Sequence, residues 1–338
     1  MNRTLQRLVL LALNHTTFLL FVAVLAVFGG LSPKFLTPAN LANLLVQASS
    51  TAVVGVGMTF VLLTAGVDLS VGAIMFVAAA VAGKMALGGA PMGLILPAIL
   101  GIGALLGAVN ALLVTRCGIL AFIATLGTLY IGRGFGLWLT QTRAMNLPES
   151  FLTLGTTGIA GIPLPLAIGA AVVALAHVTL TRTPFGRQVH AVGNNLENAV
   201  KAGVNARRVL GAVYVISGLC AAMGGILSLA QLGSVSPTFG INREFTAIAA
   251  AVLGGTSLFG GRGGVFPGTV LGAVLIQSVE NGLVILNADP YLYPLVTATI
   301  IFLAVLIDST RGRILAHGRR REHWCPNLRQ SESERMGL

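Results

Sequence analysis

The chain has 338 residues, 55% of them hydrophobic and only 9% charged, with 43 glycines and a formal net charge of +11, and its mean hydropathy is +0.88. Soluble domains carry roughly 25% charged residues, so these values exclude an ordinary soluble enzyme or nucleic-acid-binding module and describe an all-α polytopic membrane protein. The Lys and Arg residues lie mainly in short connecting segments and at the C-terminus, where they report orientation in a lipid bilayer and not a nucleic-acid partner.

A helix needs about 20 mainly apolar residues to cross a hydrocarbon core of roughly 30 Å. The apolar runs here are continuous and lack the alternation of a β-barrel strand. In chain order ten runs qualify, at 8–28, 43–65, 69–88, 93–114, 119–140, 163–181, 208–230, 245–259, 265–286 and 293–309. The first follows Arg3 and Arg7 and is too long for a signal-peptide core, so it reads as an uncleaved span.

Threading the loops alternately from a cytoplasmic N-terminus puts Arg3, Arg7, Arg116, Arg182, Arg187, Lys201, Arg207, Arg208, Arg262, Arg311, Arg313 and the tail arginines inside. Only Lys34, Arg143 and Arg243 fall outside, with Lys84 near an outer span end. This asymmetry predicts about ten transmembrane helices with both termini cytoplasmic. The expected organisation is one transmembrane domain over 1–312, with a long inner loop at 182–207, and a basic, disordered tail over 313–338.

Asp68 is the only charged residue between Lys34 and Lys84. It falls in "GVDLSVG" at the break between the second and third runs. One reading is that it caps the next helix and meets its positive end; the other is that a helix is broken within the membrane there, with Asp68 lining a path. Asn110, Arg133, Gln277, Glu280 and Asn281 place further polar groups within runs, and they are candidates either for a hydrated path or for interhelical hydrogen bonds. A weak echo at an offset of 195 residues, Thr51 onward against Thr246 onward, hints at an internal repeat.

The inner loop contains "NNLENAVKAG", which predicts a short helix with Asn194 as cap, Glu197 at the third helical position and Gly203 as terminator. Leu196, Ala199 and Val200 share one face, and Glu197 and Lys201 form an i, i+4 pair. A helix of about eight residues is too short to persist alone, so it must dock, on its own bundle or on another subunit. Gly260, Gly264, Gly268 and Gly272 recur every fourth residue at the start of the ninth run, a spacing that predicts close helix packing.

No phosphate-binding loop, nucleophile elbow or zinc-protease motif is present, so no catalytic residue, metal or cofactor is expected on this chain. Cys117, Cys220 and Cys325 have no disulfide or metal-site spacing.

Three segments, "GMTFVLLTAGVDLSVGA" (57–73), "TPFGRQVHAVGNNLENAVKAGVNARRV" (183–209) and "AIAAAVLGGTSLFGGRGG" (247–264), resemble the permease subunits of bacterial ATP-binding-cassette sugar importers, the ribose/xylose/arabinose/galactoside group. The resemblance implies a subunit of the bacterial inner membrane that pairs with a second permease subunit, identical or different. It implies a cytoplasmic ATPase that uses ATP and Mg, and an extracytoplasmic sugar-binding protein that delivers a monosaccharide. It also places the ATPase-coupling helix at Gly193–Gly203. Two other readings stand beside it: an ion-coupled secondary transporter, and a related permease for branched-chain amino acids.

Overall fold

The computed structural model describes residues 16–159, 161–300, 302 and 306. Residues 8–15 of the first expected span, the end of the last one and the tail at 313–338 lie outside the described residues.

The chain forms α1 (Thr16–Leu31), α2 (Pro38–Leu63), α3 (Val71–Leu87), α4 (Met92–Thr115) and α5 (Ala121–Thr140). The short α6 (Glu149–Thr156) and α7 (Leu164–Arg182) follow. Then come α8 (Pro184–Asn194), α9 (Leu196–Lys201), α10 (Ala206–Leu232) and α11 (Arg243–Leu253). A π-helical turn, Val265–Thr269, leads into α12 (Val270–Ile285), and residues 292–300 are helical.

Among the described residues six helices are long and apolar enough to cross a membrane: α2, α4, α5, α7, α10 and the continuous Val265–Ile285. The apolar α1 and α3 are shorter. The run at 245–259 is not a span-length helix, because α11 has 11 residues. At 1.5 Å per residue that is about 16 Å, half a hydrocarbon core. Gly254 and Gly255 (φ +88°) end it, while the hydropathy runs on through the following loop and gives the sequence its span-like length.

The core is built around α2, buried continuously from Ala48 to Leu63, as expected of a helix apolar on every face. Antiparallel to it runs α10: Gly57 packs on Ser217 and Cys220, and Gly224 on Ser50 and Val54. Against α10, Gly103 and Gly107 of α4 meet the carbonyls of Gly218 and Tyr214, so these two backbones touch where side chains are missing. Buried α2 also takes the π-helical turn that leads into α12 on another side, through a Thr59–Thr269 hydroxyl pair at 2.7 Å.

Two connections re-enter the bundle. Residues 64–70 leave the end of α2 and climb back inward: Val67 lies beside Thr125 of α5, and Ser70 is hydrogen-bonded to Asn110 of α4. Asn110 in turn takes a bond from Thr128, seven residues or about 10 Å into α5. Consequently α3 starts inside the bundle. From the opposite end, the two-residue strand Ser234–Val235 pairs antiparallel with Met145–Asn146, and residues 236–242 descend until Gly240 meets Gly72, in the first turn of α3. There α11 begins, so two broken helices face each other N-terminus to N-terminus at mid-depth.

The order of elements repeats with inverted direction. Full helix, re-entrant segment and broken helix occur as α2, 64–70 and α3, and again as α10, 233–242 and α11, each pair of starts offset by about 170 residues. Helices α4 and α5 correspond in the same register to Val265–Ile285 and to the helix at 292–300. The echo at an offset of 195 residues instead aligns α2 with α11, which are not counterparts in this arrangement.

Candidate functional site

The three segments that carry the family resemblance meet at the basic end of the bundle. Thr183 caps α8, its hydroxyl accepting from Gly186 N at 3.2 Å, with Pro184 at the first helical position. Val189 and Val192 bury one face of α8 against the bundle. At its end Gly193 packs so tightly on the Leu63 carbonyl of α2 that a side chain would collide with it. Gly261 N donates to that same carbonyl at 2.9 Å, and Gly261 O lies 3.1 Å from His190 Nδ1. Gly260 and Gly261, both at positive φ, thereby wedge between α8 and the 64–70 turn, where Gly260 approaches Ala65.

The predicted short helix exists as α9, with its cap one residue later than expected. Asn194 closes α8, and Asn195, in an extended conformation, accepts from Asn198 N at 2.9 Å as the cap of α9. Glu197 is therefore the second helical residue, and its carboxylate pairs with Lys201 at 2.6 Å on an exposed face without reaching back to the cap. Gly203 (φ +86°) ends the helix, donating to Val200 O. Ala199 is buried beneath α9, while Leu196 and Val200 are 52% and 53% exposed. This six-residue helix thus rests on its own bundle and presents two aliphatic side chains outward.

The second cluster surrounds Asp68, which has no solvent exposure. Its Oδ1 accepts from Ser70 N at 3.0 Å and Ser70 Oγ at 2.6 Å, and its Oδ2 accepts from Ser217 Oγ at 2.7 Å. Asn110 Nδ2 donates to Ser70 Oγ at 2.7 Å, and Thr128 Oγ1 donates to Asn110 Oδ1 at 2.8 Å. Three donors converge on the carboxylate, and Asn110 and Thr128 extend the chain behind Ser70, a network that joins α4, α5 and α10 to the start of α3. Asp68 is not the cap of α3; that position belongs to Ser70, and Asp68 closes the turn just before it.

The other broken helix has its own acidic residue at its N-terminus, Glu244, 7% exposed. Both acidic residues thus lie where helix dipoles favour negative charge. Arg133 of α5 reaches the same junction: Nη1 donates to Phe239 O at 2.6 Å, its guanidinium lies 5.1 Å from the Phe76 ring centre, and Glu244 is within its electrostatic reach.

The remaining polar candidates lie elsewhere, on the α2–α12 seam. Gln277 Nε2 donates to Gln47 Oε1 at 2.9 Å, and Asn281 exchanges hydrogen bonds with Asn40 at 2.9 and 3.1 Å. Glu280, next to Asn281, is within reach of Arg243. Asn43 and Gln47 expose polar amides along this part of α2.

The four glycines do not form one helical ladder. Gly260 and Gly264 belong to the loop before the π-turn, and only Gly268 and Gly272 pack against α11, on the carbonyls of Gly254 and Ala250. Sequence reasoning missed Ser70, Ser217, Thr128 and Glu244, whose hydroxyls and carboxylate carry no motif; the helical period of Val189 and Val192 after Thr183-Pro184 would have revealed α8.

Residues 40–307 match the family described as branched-chain amino acid transport system / permease component. Similar curated proteins include the ribose import permease protein of Haemophilus influenzae, 36% identical over 89% of this chain and 94% of the relative. The D-allose transport system permease protein of Escherichia coli is 37% identical over 87% of this chain and 91% of its own length. The ribose import permease protein of Bacillus subtilis is 39% identical over 87% and 91%. No solved structure matches the chain.

Proposed function

The chain belongs to the permease-component family of the branched-chain amino acid transport systems, and from this premise we propose that it is the membrane subunit of an ATP-driven importer of a monosaccharide. The family description names amino acids, but the similarities to ribose and allose permeases at 36–39% identity extend over nearly all of both chains and favour a sugar. In this reading ten helices traverse or enter the bacterial inner membrane with both termini cytoplasmic, and α11 enters as a half-helix.

The observation that carries the mechanism is the junction of α8, the Gly260–Gly261 wedge and the end of α2. A cytoplasmic ATPase docked on Leu196 and Val200 of α9 pushes through Gly193 onto Leu63 and so onto the 64–70 segment. That segment leads directly to Asp68 and the facing ends of α3 and α11. Movement of one packed element past another is the ordinary route by which a docked partner shifts a bundle.

The amides of the α2–α12 seam are the candidate lining of the outer path, since exposed Asn43 and Gln47 at membrane depth require water or a second permease subunit beside them. Their donors and acceptors suit sugar hydroxyls. An extracytoplasmic binding protein supplies the sugar at this end.

The test removes the docking face. Replacing Leu196 and Val200 together by Ala, or deleting Asn195–Gly203, abolishes copurification of the ATPase subunit while the permease still reaches the membrane. Retained stoichiometric ATPase would sink the coupling assignment.

A further inference from the structure

The turn at 257–263 carries an aromatic side chain that α9 alone does not account for. Ser257 N donates to Arg262 O at 2.8 Å, Phe259 N donates to Ser257 Oγ at 3.1 Å, and Gly260 N donates to Ser257 O at 3.3 Å. These bonds close a tight turn. Its base, Gly260 and Gly261, is buried and bonded to Leu63 and His190, while its tip is exposed: Leu258 is 40% and Phe259 90% accessible. A phenylalanine so exposed on an anchored turn leaves most of a large apolar ring in contact with water, unless something covers it.

Its position says what covers it. The Gly261 backbone packs directly on Asn194, the residue before the α9 cap, so the turn and α9 form one continuous surface at the basic end of the molecule. Leu196, Val200, Leu258 and Phe259 then offer four exposed apolar side chains on two adjacent rigid elements, with Arg262 exposed at the rim. An apolar centre with a charged rim is the composition of a protein-binding patch.

We infer that Phe259 is a second anchor for the cytoplasmic ATPase, inserting into the same partner that holds α9. This rests on the proposed importer reading and extends it: the partner grips the coupling face at two points, one on α8–α9 and one on the turn wedged against α2.

The experiment compares four forms of the full chain in nanodiscs of phosphatidylethanolamine and phosphatidylglycerol: wild type, Phe259→Ala, Phe259→Leu, and Leu196→Ala with Val200→Ala. Each is titrated with the purified ATPase subunit that copurifies with the wild type. Because Phe259 is exposed, its removal leaves folding intact, which the thermal transition of each nanodisc sample verifies. The expected result is at least about tenfold weaker binding for Phe259→Ala, the scale of an anchor residue, with Phe259→Leu in between. Unchanged binding for Phe259→Ala beside lost binding for the α9 variant overturns the second anchor and leaves the importer reading standing. Unchanged binding for both variants removes the coupling assignment itself. A polarity-sensitive dye on Phe259→Cys, in a background with Cys117→Ser and Cys325→Ser and with Cys220 buried, supplies the remaining arm. A blue shift on adding ATPase supports the inference, whereas a shift already present in lipid alone assigns the ring to the membrane surface and overturns it.

Discussion

Asp68 shows how far a single residue can be read. Its isolation in an apolar run marks it as unusual, and the break around it is visible from "TAGVDLS". Its partners are not, because Ser217 is 149 residues away and one of many hydroxyls in the spans. With both carboxylate oxygens bonded and no exposure, Asp68 fastens three helices around the start of α3. Asp68→Ala leaves the Ser70 and Ser217 hydroxyls buried without their acceptor, a cost of about 2–3 kcal/mol. Asp68→Asn keeps an acceptor for Ser70 and lets the Ser217 hydroxyl turn to accept. The thermal transition of detergent-purified protein therefore falls clearly for Ala and much less for Asn; equal transitions for Ala and wild type would remove the network from the account.

At the scale of elements, the apolar helices were legible, α3 included, while α11 and the re-entry at 64–70 were not. The expected runs at 43–65, 69–88, 93–114, 119–140, 163–181, 208–230 and 265–286 correspond to α2, α3, α4, α5, α7, α10 and Val265–Ile285 within a few residues, because continuous apolar composition determines them. Hydropathy fails at α11, where loop glycines are counted as apolar although they cannot sustain a helix against their backbone freedom. It fails for a different reason at 64–70, whose re-entry depends on hydrogen bonds to α4, α5 and α10 that have no local signature. The coupling face is an intermediate case: capping chemistry predicts α9 to within one residue, but which of its side chains face outward emerges only from the packing of Ala199 and α8. The loss of copurifying ATPase on removing Leu196 and Val200 belongs to this scale, since it tests the element as docked.

For the whole molecule, the inverted arrangement and the charge asymmetry make one statement about topology. Broken helices that enter from opposite ends and meet by their N-termini give a bundle with a junction inside it, as Gly72 and Gly240 show. Among the described residues Cys117 is exposed, in the basic connection between α4 and α5, and Cys220 is buried in α10. A membrane-impermeant maleimide therefore labels a Cys325→Ser form in inside-out vesicles and not in right-side-out ones. Labelling of the right-side-out vesicles would invert the orientation.

The central claim is that this bundle moves a monosaccharide using ATP hydrolysed by a partner. It is tested most directly by uptake of radiolabelled ribose and allose into proteoliposomes that hold the permease and its copurifying ATPase, with the sugar-binding protein outside and ATP with Mg inside. The account predicts accumulation of at least one of these sugars, or of another monosaccharide in a wider panel, that requires internal ATP and is indifferent to a proton uncoupler. Uptake that proceeds without ATP and collapses with the uncoupler would contradict it and return the chain to ion-coupled transport.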